Sequence, residues 1–564
     1  MKLSGSQIVC ECLKQEGGEV MVGRPGGAIL PFYQPLPEYP ALRHSLVRHE
    51  EGAAMAADGF ARATGKVGVC VATSGPGATN LVTGIMTAQM DSAPIVAITG
   101  QVPRAMIGKD AFQETDVTGI TLPITKHNYL VMDTRELPRI IKEAFYLART
   151  GRPGPVLIDI PKDVQQDEVE FEGYPDEVEV IGYEPIPEID PVDLELAARM
   201  INEAERPVII AGRGVNISRA HAELKELAEK AQIPVITTLL GLGAFPGKHV
   251  LSFGMPGMHG VAWASIAINE SDLLLGIGMR FDDRVTGKVS TFAPKAKKVH
   301  VDIDPAEVGK NIKADLALIS DVKYVLEKLN PLVERKTHSE WLQQVDRWRQ
   351  EHPSLKIRET NHLLPQFILK QLNEETKGEA IIVTGVGQHQ MWAAQYCFFD
   401  EPYRFLSSGG AGTMGYEVPA AMGAQVGCPN DTVWSIAGDG GFQMTMCELA
   451  TMVQENIPVK YAIMNNGFHG MVRQWQEIFY NKSYVASKFH SPDFVKLAEA
   501  FGCVGIRVTE KEQVVPAIRK AMECDGPVIV DFMVRTEENV YPFIPPGESL
   551  ASMVEDPSVS ISMG

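Results

Sequence analysis

The chain has 564 residues, of which 45% are hydrophobic and 22% charged, an ordinary globular composition long enough for about three domains. Its net charge of −19 argues against nucleic acid or an anionic membrane surface as partner, so any phosphate site must be made by local dipoles and metal. Eight cysteines are scattered without a CxxC or a Cys/His cluster, which reads as reduced, buried thiols, and no apolar run is long enough to span a bilayer.

The N-terminal MKLSGSQIVCECLKQEG reads as an amphipathic helix. It lacks both the apolar core of a signal peptide and the Arg-rich, acid-poor character of a transit peptide, so a cytoplasmic location is expected. Residues 1–175 alternate strand and helix signals and form a first domain. In it, Arg48-His49-Glu50 leads into an alanine-rich helix, Gly52 to Thr64. Val67 to Thr73 then reads as a strand, Ser74-Gly75-Pro76-Gly77 as a turn, Ala78 to Met90 as a helix and Pro94 to Thr99 as the next strand. The acidic, Pro-rich stretch Tyr174 to Asp190 is a linker. A middle domain, 190–335, opens with strand Val208 to Ala211 and the glycines Gly212 and Gly214. Its strands recur at Pro234 to Thr237, Leu273 to Ile277 and Lys298 to Ile303. The charged stretch Glu334 to Arg358 reads as a second linker, residues 360–545 as the last domain, and the tail, 546–564, as a disordered end or a flap over the site.

The last domain carries the strongest chemical signal. A buried strand, Val433 to Ala437, ends in Gly438-Asp439-Gly440. A helical stretch follows with apolar positions Met444, Leu449 and Val453, Pro458 breaks it, and a second strand, Val459 to Met464, runs into Asn465-Asn466. In a parallel sheet, ligands collect beyond the carboxyl ends of the strands, where Asp439 and Asn466 both sit. The pair suits Mg²⁺ holding a diphosphate: one charge, one neutral carbonyl oxygen, and glycines that let backbone approach the anion. GDG alone is an ordinary turn; followed by Asn-Asn after the next strand, it resembles the thiamin diphosphate (ThDP) motif. Gly75-Pro76-Gly77 occupies the corresponding place in the first domain, which reads as a weak internal repeat of two α/β domains, only the second carrying the metal Asp.

Given that cofactor, Glu50 acquires a task. A carboxylate opening an apolar helix is most often a solvated N-terminal charge, but one bonded to the ThDP pyrimidine promotes the imino form that takes the thiazolium C2 proton. The blocks RHEEGAAMAADGFAR, ATSGPGATNLVTG, KDAFQETDVTGIT, TKHNYLV, RFDDRVTGK, VGQHQMWAAQ, GTMGYE and MVRQWQ together closely resemble the acetohydroxyacid (acetolactate) synthase catalytic-subunit family, continuously from about residue 5 to 550. The resemblance implies an α/β fold of three domains with parallel sheets flanked by helices: two related ThDP-binding domains, for the pyrimidine and for the diphosphate and Mg²⁺, and a Rossmann-like middle domain that binds FAD without redox use.

The resemblance also implies site roles. Glu50 is the pyrimidine partner, while Asp439, Asn466 and the Phe468 carbonyl hold Mg²⁺. Val386, Gly387, Gln388, His389 and Gly412 line the cofactor with Gly438, Gly440, Gly441, Gly470 and Met471, and Met414 wedges its two rings. Phe112, Gln113 and Lys126 border the reacting groups, and Met471 and Trp475 border the second substrate. FAD is assigned Gly212, Gly214, Thr237, Leu239, His259, Arg280, Asp282, Arg284, Asp302, Ile303 and Asp321. The implied reaction decarboxylates pyruvate on ThDP and transfers the hydroxyethyl group to pyruvate or 2-ketobutyrate, the first common step of branched-chain amino acid biosynthesis. A homodimer or homotetramer and a separate regulatory small subunit are implied, with no nucleic acid or membrane partner. The alternative is another ThDP carboligase, or a catabolic acetolactate synthase lacking FAD. Departures from the family pattern stand at Arg24, Glu51, Lys109, Arg213, Gly385 (Asp expected) and Glu417 (Gly expected).

Overall fold

The computed structural model describes residues 1–559. Strands β1 (Val20–Gly23), β2 (Arg43–Leu46), β3 (Gly68–Ala72), β4 (Ile95–Gln101), β5 (His127–Leu130) and β6 (Val156–Pro161) form a parallel sheet in the order β2-β1-β3-β4-β6-β5. In the middle of the chain, β7 (Pro207–Ala211), β8 (Val235–Thr237), β9 (Leu273–Ile277), β10 (Lys297–Asp302) and β11 (Leu316–Ile319) pair in parallel as β8-β7-β9-β10-β11. A third parallel sheet takes β12 (Ile381–Thr384), β13 (Phe405–Ser407), β14 (Val433–Gly438), β15 (Lys460–Asn465), β16 (Val504–Val508) and β17 (Val528–Met533) in the order β13-β12-β14-β15-β17-β16. Helices cover both faces, so central strands such as β4 and β6 are buried along their whole length and read as near-continuous apolar runs. The helices that concern the site are α1 (Glu50–Thr64), α2 (Gln388–Tyr396), α3 (Glu417–Gly427), α4 (Asp439–Thr445) and α5 (Gly470–Phe479).

The first and third sheets have one topology. Their six strands follow the same spatial order, and in each the chain reverses direction across the sheet between its first and third strands. The weak repeat seen at Gly75 and Gly438 is therefore one architecture used twice, with both turns following the third strand of their sheets. The duplication also brings the two units together. Helices α1 and α3 each link the second strand to the third of their own sheet, and they pack on each other reciprocally. A Cβ on Gly59 would collide with the carbonyl of Ala420, and a Cβ on Gly423 with the carbonyl of Ala56. Glycine at these positions lets two backbones touch, so the angle between the units is set by main-chain contact rather than by adjustable side chains.

Several boundaries differ from the expectation. Glu334 to Arg358 is not merely a linker: Ser339–Glu351 is a helix, because Trp341, Val345 and Trp348 fall on one face and pack into the middle unit's core. The tail, through Val559, is neither a disordered end nor a flap over the site. It folds back onto the middle unit, where Leu550 is buried, Val554 pairs with Phe543, and Glu555 meets His352 at 2.7 Å; residues 560–564 lie outside the described residues. Strand β11, four residues long, was not read, and Met444, expected as an apolar helix position, is 61% exposed. The Tyr174 to Asp190 stretch does lack helix and strand. Its Tyr174 hydroxyl donates to Glu16 at 2.6 Å.

The glycine contact is testable. Gly423→Ala puts a methyl group against a carbonyl oxygen and should cost about 1–3 kcal/mol or more of stability, read from denaturant unfolding. A conservative change at half-buried Gly526, whose added Cβ would meet nothing within 4 Å, should leave the unfolding curve nearly unmoved.

Candidate active site

The carboxyl ends of β12 and β14 flank the point where the third sheet's strand order reverses, which is where an open α/β sheet offers a crevice. Two loops leave from there: Gly385-Val386-Gly387-Gln388 into α2, and Gly438-Asp439 into α4. Asp439 is buried, and its Oδ2 accepts from the Gly467 amide and the Ser491 hydroxyl, both at 2.8 Å. Burial nevertheless pushes its carboxyl up to about 6. Asn466 directly follows the neighbouring β15, and its Oδ1 accepts from the Phe468 amide at 3.0 Å. No group of three or more His, Cys, Asp or Glu placed to hold a metal ion by itself exists among the described residues. Asp439 and Asn466 thus offer a partial oxygen shell, the kind Mg²⁺ takes when phosphates and water complete it.

The walls around Asp439 are glycine backed by polar side chains. A Cβ on Gly438 would stand 2.9 Å from His389 Cε1, and one on Gly440 2.8 Å from His469. Gly470 has no room for a side chain against Gln388 Oε1 and stands 3.0 Å, Cβ to Nδ2, from Asn466. Gln388 Oε1 and His389 Nε2 are buried without a hydrogen-bond partner, and burial holds the His389 imidazole down to about 3 and so neutral. Buried donors and acceptors left free at a glycine-lined crevice fit a polar ligand that comes within reach of the main chain.

Two departures from the family pattern prove to be one feature. Glu417, the first residue of α3, is fully buried, and its carboxyl group stands 2.5 Å from where a Cβ on Gly385 would be. Neither of its oxygens has a side-chain partner, and burial pushes it up to about 7. Gly385 has no side chain because Glu417 occupies that space.

The loop Ser408 to Met414 carries Gly412, whose φ of +68° suits glycine, and leads into a cleft of about 540 Å³. Val386, Gly387, Gly412, Met414, Met471 and Trp475 line one end of it. Met471 and Trp475 lie one turn apart on α5 and face the same space. The other end lies over the middle sheet, at its own reversal point between β7 and β9, where Gly214 donates its amide to the Gly278 carbonyl at 2.9 Å. Gly214, Leu239, His259, Arg280, Asp282, Arg284, Asp302, Ile303 and Asp321 line this end; Gly212 and Thr237 stand behind the wall. His259 Nδ1 is buried without a partner, and the only hydrogen bond of the Arg284 guanidinium is to the Met258 sulfur, at 3.2 Å. Asp302 is pushed up to about 6 by burial. Asp321 is also a helix N-cap, its Oδ1 accepting from the Lys323 and Tyr324 amides. Free cationic and imidazole groups here fit an elongated anionic ligand such as a dinucleotide. Arg213 adds a guanidinium to the same wall.

The first unit supplies a separate group. Glu50 opens α1, is 8% exposed, and its Oε2 accepts from the Asn80 amide at 2.9 Å. A Cβ on Gly77 would lie 3.6 Å from Glu50 Oε1, and one on Gly75 2.9 Å from Gln113 Cβ, so Glu50, Asn80 and Gln113 belong to one neighbourhood. Phe112 beside it is 89% exposed. None of these lines the cleft of the same chain. Lys126, expected beside the reacting groups, is placed elsewhere. Its ammonium donates to the Leu147 and Thr150 carbonyls, both at 2.6 Å, and to the Tyr183 hydroxyl at 2.8 Å. It closes the end of the helix Leu137–Arg149, where carbonyls lack partners of their own. Asn80 lies within ATSGPGATNLVTG, where its position five residues past Gly75 is the only local signal of its role; Ser491 carries none, being far from Asp439 in sequence.

Three family models match the chain: thiamine pyrophosphate enzyme N-terminal TPP binding domain at residues 3–120, central domain at 194–329, and C-terminal TPP binding domain at 385–532. The chain is 49% identical over 560 residues to the acetolactate synthase large subunit of Corynebacterium glutamicum, covering 97% of this chain and 89% of that one. It is 50% identical over 561 residues to the acetolactate synthase of Mycobacterium bovis, with 97% and 91% covered. With the acetolactate synthase large subunit of the red alga Pyropia yezoensis it shares 47% identity over 563 residues, with 98% and 95% covered. No helix among the described residues is long and apolar enough to cross a membrane.

The Glu417 environment yields a pH prediction. Its carboxyl holds a proton in the folded state up to about 7, well above its ordinary value of 4.5. The folded chain therefore binds more protons than the unfolded chain between those values, and rising pH removes stability across that window. Glu417→Gln has no such proton. Between about pH 5 and about pH 8 wild type should lose up to about 3 kcal/mol relative to the variant. Parallel unfolding curves at the two pH values would refute the buried-acid reading.

Proposed function

We propose that this chain, which belongs to the thiamine pyrophosphate enzymes and, among them, to the acetolactate synthase large subunits, makes acetohydroxy acids. It decarboxylates pyruvate and joins the remaining two-carbon unit to the keto carbon of a second pyruvate or of 2-ketobutyrate. The observation that carries the reading is the meeting of three glycine-bearing loops, 385–388, 408–414 and 438–441: a Cβ on Gly438, beside buried Asp439, would stand 2.9 Å from His389, one on Gly412 would stand 4.0 Å from Val386, and Met414 and Trp475 line the adjoining cleft.

The residues fit ThDP, Mg²⁺ and FAD. Asp439, Asn466 and the Phe468 carbonyl would hold Mg²⁺, with the amides of Gly440 and Gly441 toward the diphosphate. Bound ThDP supplies a nucleophilic carbon that takes the keto carbon of pyruvate and holds the electron pair left when CO₂ departs. Met414 would fix the angle between the two rings. Glu50, steadied by Asn80, would hold a proton at the pyrimidine ring. Met471 and Trp475 would bound the acceptor. FAD would lie over the middle sheet with Arg280 and Arg284 toward its phosphates and Asp302 toward a ribose hydroxyl. Carboligation needs no net electron transfer, so its role is structural.

Glu50 and Gln113 do not reach the cleft of their own chain, and Phe112 stands in the open beside them. We propose a homodimer or homotetramer, in which a second copy would bring its Glu50 to this chain's Asp439. That relatives are named as large subunits supports a separate regulatory small subunit, and the setting we propose is cytoplasmic.

Glu50→Gln should leave ThDP bound and slow deuterium exchange at its C2 by roughly 10²-fold or more. Exchange at the wild-type rate in the folded variant would remove Glu50 from this role. Purified protein should be yellow and should turn over pyruvate with a redox-inert flavin analogue. Turnover that requires flavin reduction in each cycle would favour an oxidase. A third test concerns the acceptor. One methylene in an apolar pocket is worth about 1–3 kcal/mol, so wild type offered both keto acids should prefer 2-ketobutyrate by one to two orders of magnitude. Trp475→Leu should erase most of that preference in the measured product ratio while pyruvate still reacts.

A further inference from the structure

The loop that carries Gly412 and Met414 is held from outside its own sheet. Asp91, just past the helix Val82–Met90 of the first unit, is fully buried. Its Oδ1 accepts from the Gly410 amide at 2.7 Å, and its Oδ2 from the Gly409 amide at 3.1 Å and from Arg62 at 2.8 Å. Arg62 itself donates to the Ser407 carbonyl at 2.7 Å and pairs with Asp58 at 2.6 Å. Asp58 accepts from the Tyr416 hydroxyl at 2.5 Å. Thr87 and Thr413 share a hydroxyl hydrogen bond of 2.7 Å. First-unit side chains thus grip the stretch Ser407 to Tyr416 at both ends and at three residues between.

The grip is specific to geometry. A Cβ on Gly410 would stand 2.8 Å from Asp91 Oδ1, so only glycine allows the amide to come this close. Both aspartates are buried against the Arg62 guanidinium, at 2.6 and 2.8 Å, and charge-assisted bonds to backbone amides are the stronger and shorter kind. Gly412 and Gly415, at φ of +68° and +82°, make the intervening backbone a set of tight turns that transmits the position of its ends.

We propose that Asp91, backed by Arg62, is a positioning residue for the reaction: through Gly409 and Gly410 it fixes where Met414 stands in the cleft, and so the angle at which ThDP is held. This rests on the acetolactate synthase reading of the same site. The device lies within one chain, from first unit to last, and is separate from the contact that would bring Glu50 across from a second copy. Asp91→Asn keeps size and shape but puts an NH₂ where one of the two amides donates. At saturating ThDP and Mg²⁺ it should slow C2 deuterium exchange and kcat together, roughly tenfold to a hundredfold, as a misplacement of about 1 Å does, with KM for pyruvate within about twofold.

Thr87→Val removes one anchor without touching a charge and serves if Asp91→Asn does not fold. It should lower exchange and kcat in the same direction by a smaller factor. A folded Asp91→Asn or Thr87→Val with wild-type exchange and kcat overturns the proposal. So does a loss confined to melting temperature or ThDP affinity, which would mark the network as structural only. Wild-type protein that fails to turn over pyruvate with ThDP, Mg²⁺ and FAD overturns the functional reading instead, and a change in exchange caused by Asp91→Asn would still be visible on bound ThDP.

Discussion

Contact between two backbones governs this molecule. Gly59 and Gly423 let α1 and α3 meet with no side chain between them, and each is the equivalent helix of its own unit. Since neither can move without a carbonyl clash, the first unit's face is registered to the last unit's at atomic precision. All other cross-unit contacts are consequences. Glu448 can take the amides of Arg48 and His49 at the start of α1 at 2.9–3.0 Å, and Asp91 can reach the Gly409 loop, because the helices beneath them do not slide.

A chain carrying −19 charges builds its phosphate site without a basic face. It does so by exposing main chain. Glycines 438, 440 and 470 bring amides to the crevice, and Asp439 among them is available for a cation rather than opposed to an anion. Where cations are needed over the middle sheet, Arg280 and Arg284 are left without strong internal ion pairs. Arg284 comes only within 3.9 Å of Asp283. The cost of this strategy is visible in the buried groups left without partners, Gln388, His389 and His259, which in a protein interior mark positions meant for something else to satisfy.

What the sequence made legible was local. Asp439 and Asn466 were readable because each directly follows a strand and adjacent parallel strands end on the same side. Trp475 and Met471 were readable because a helix puts residues four apart on one face. Lys126 was misplaced because a motif block fixes a position but not a rotamer, and the free carbonyls past Leu147 outcompeted the site for its ammonium. The Ser339–Glu351 helix was hidden by its charge, although its Trp341, Val345 and Trp348 spacing carried the period. Asp91 and Arg62 gave no signal at all, since their meaning lies in a loop more than three hundred residues away.

Gly385 and Glu417 share one volume in the wall of the site. Taken singly, each position is a departure: an acid absent where one is expected, and an acid present where glycine is expected. In space the carboxyl group fills the volume over Gly385, so the interior is neither emptied nor overfilled. A side chain restored at 385 while Glu417 remains would place a Cβ 2.5 Å from that carboxyl, and two acids would share one dry pocket. The two positions are therefore bound to one another more tightly than either is to its neighbours in sequence. Packing density makes this a general rule: in a wall built from glycine, the identity of each residue is decided by whatever leans against it from another element.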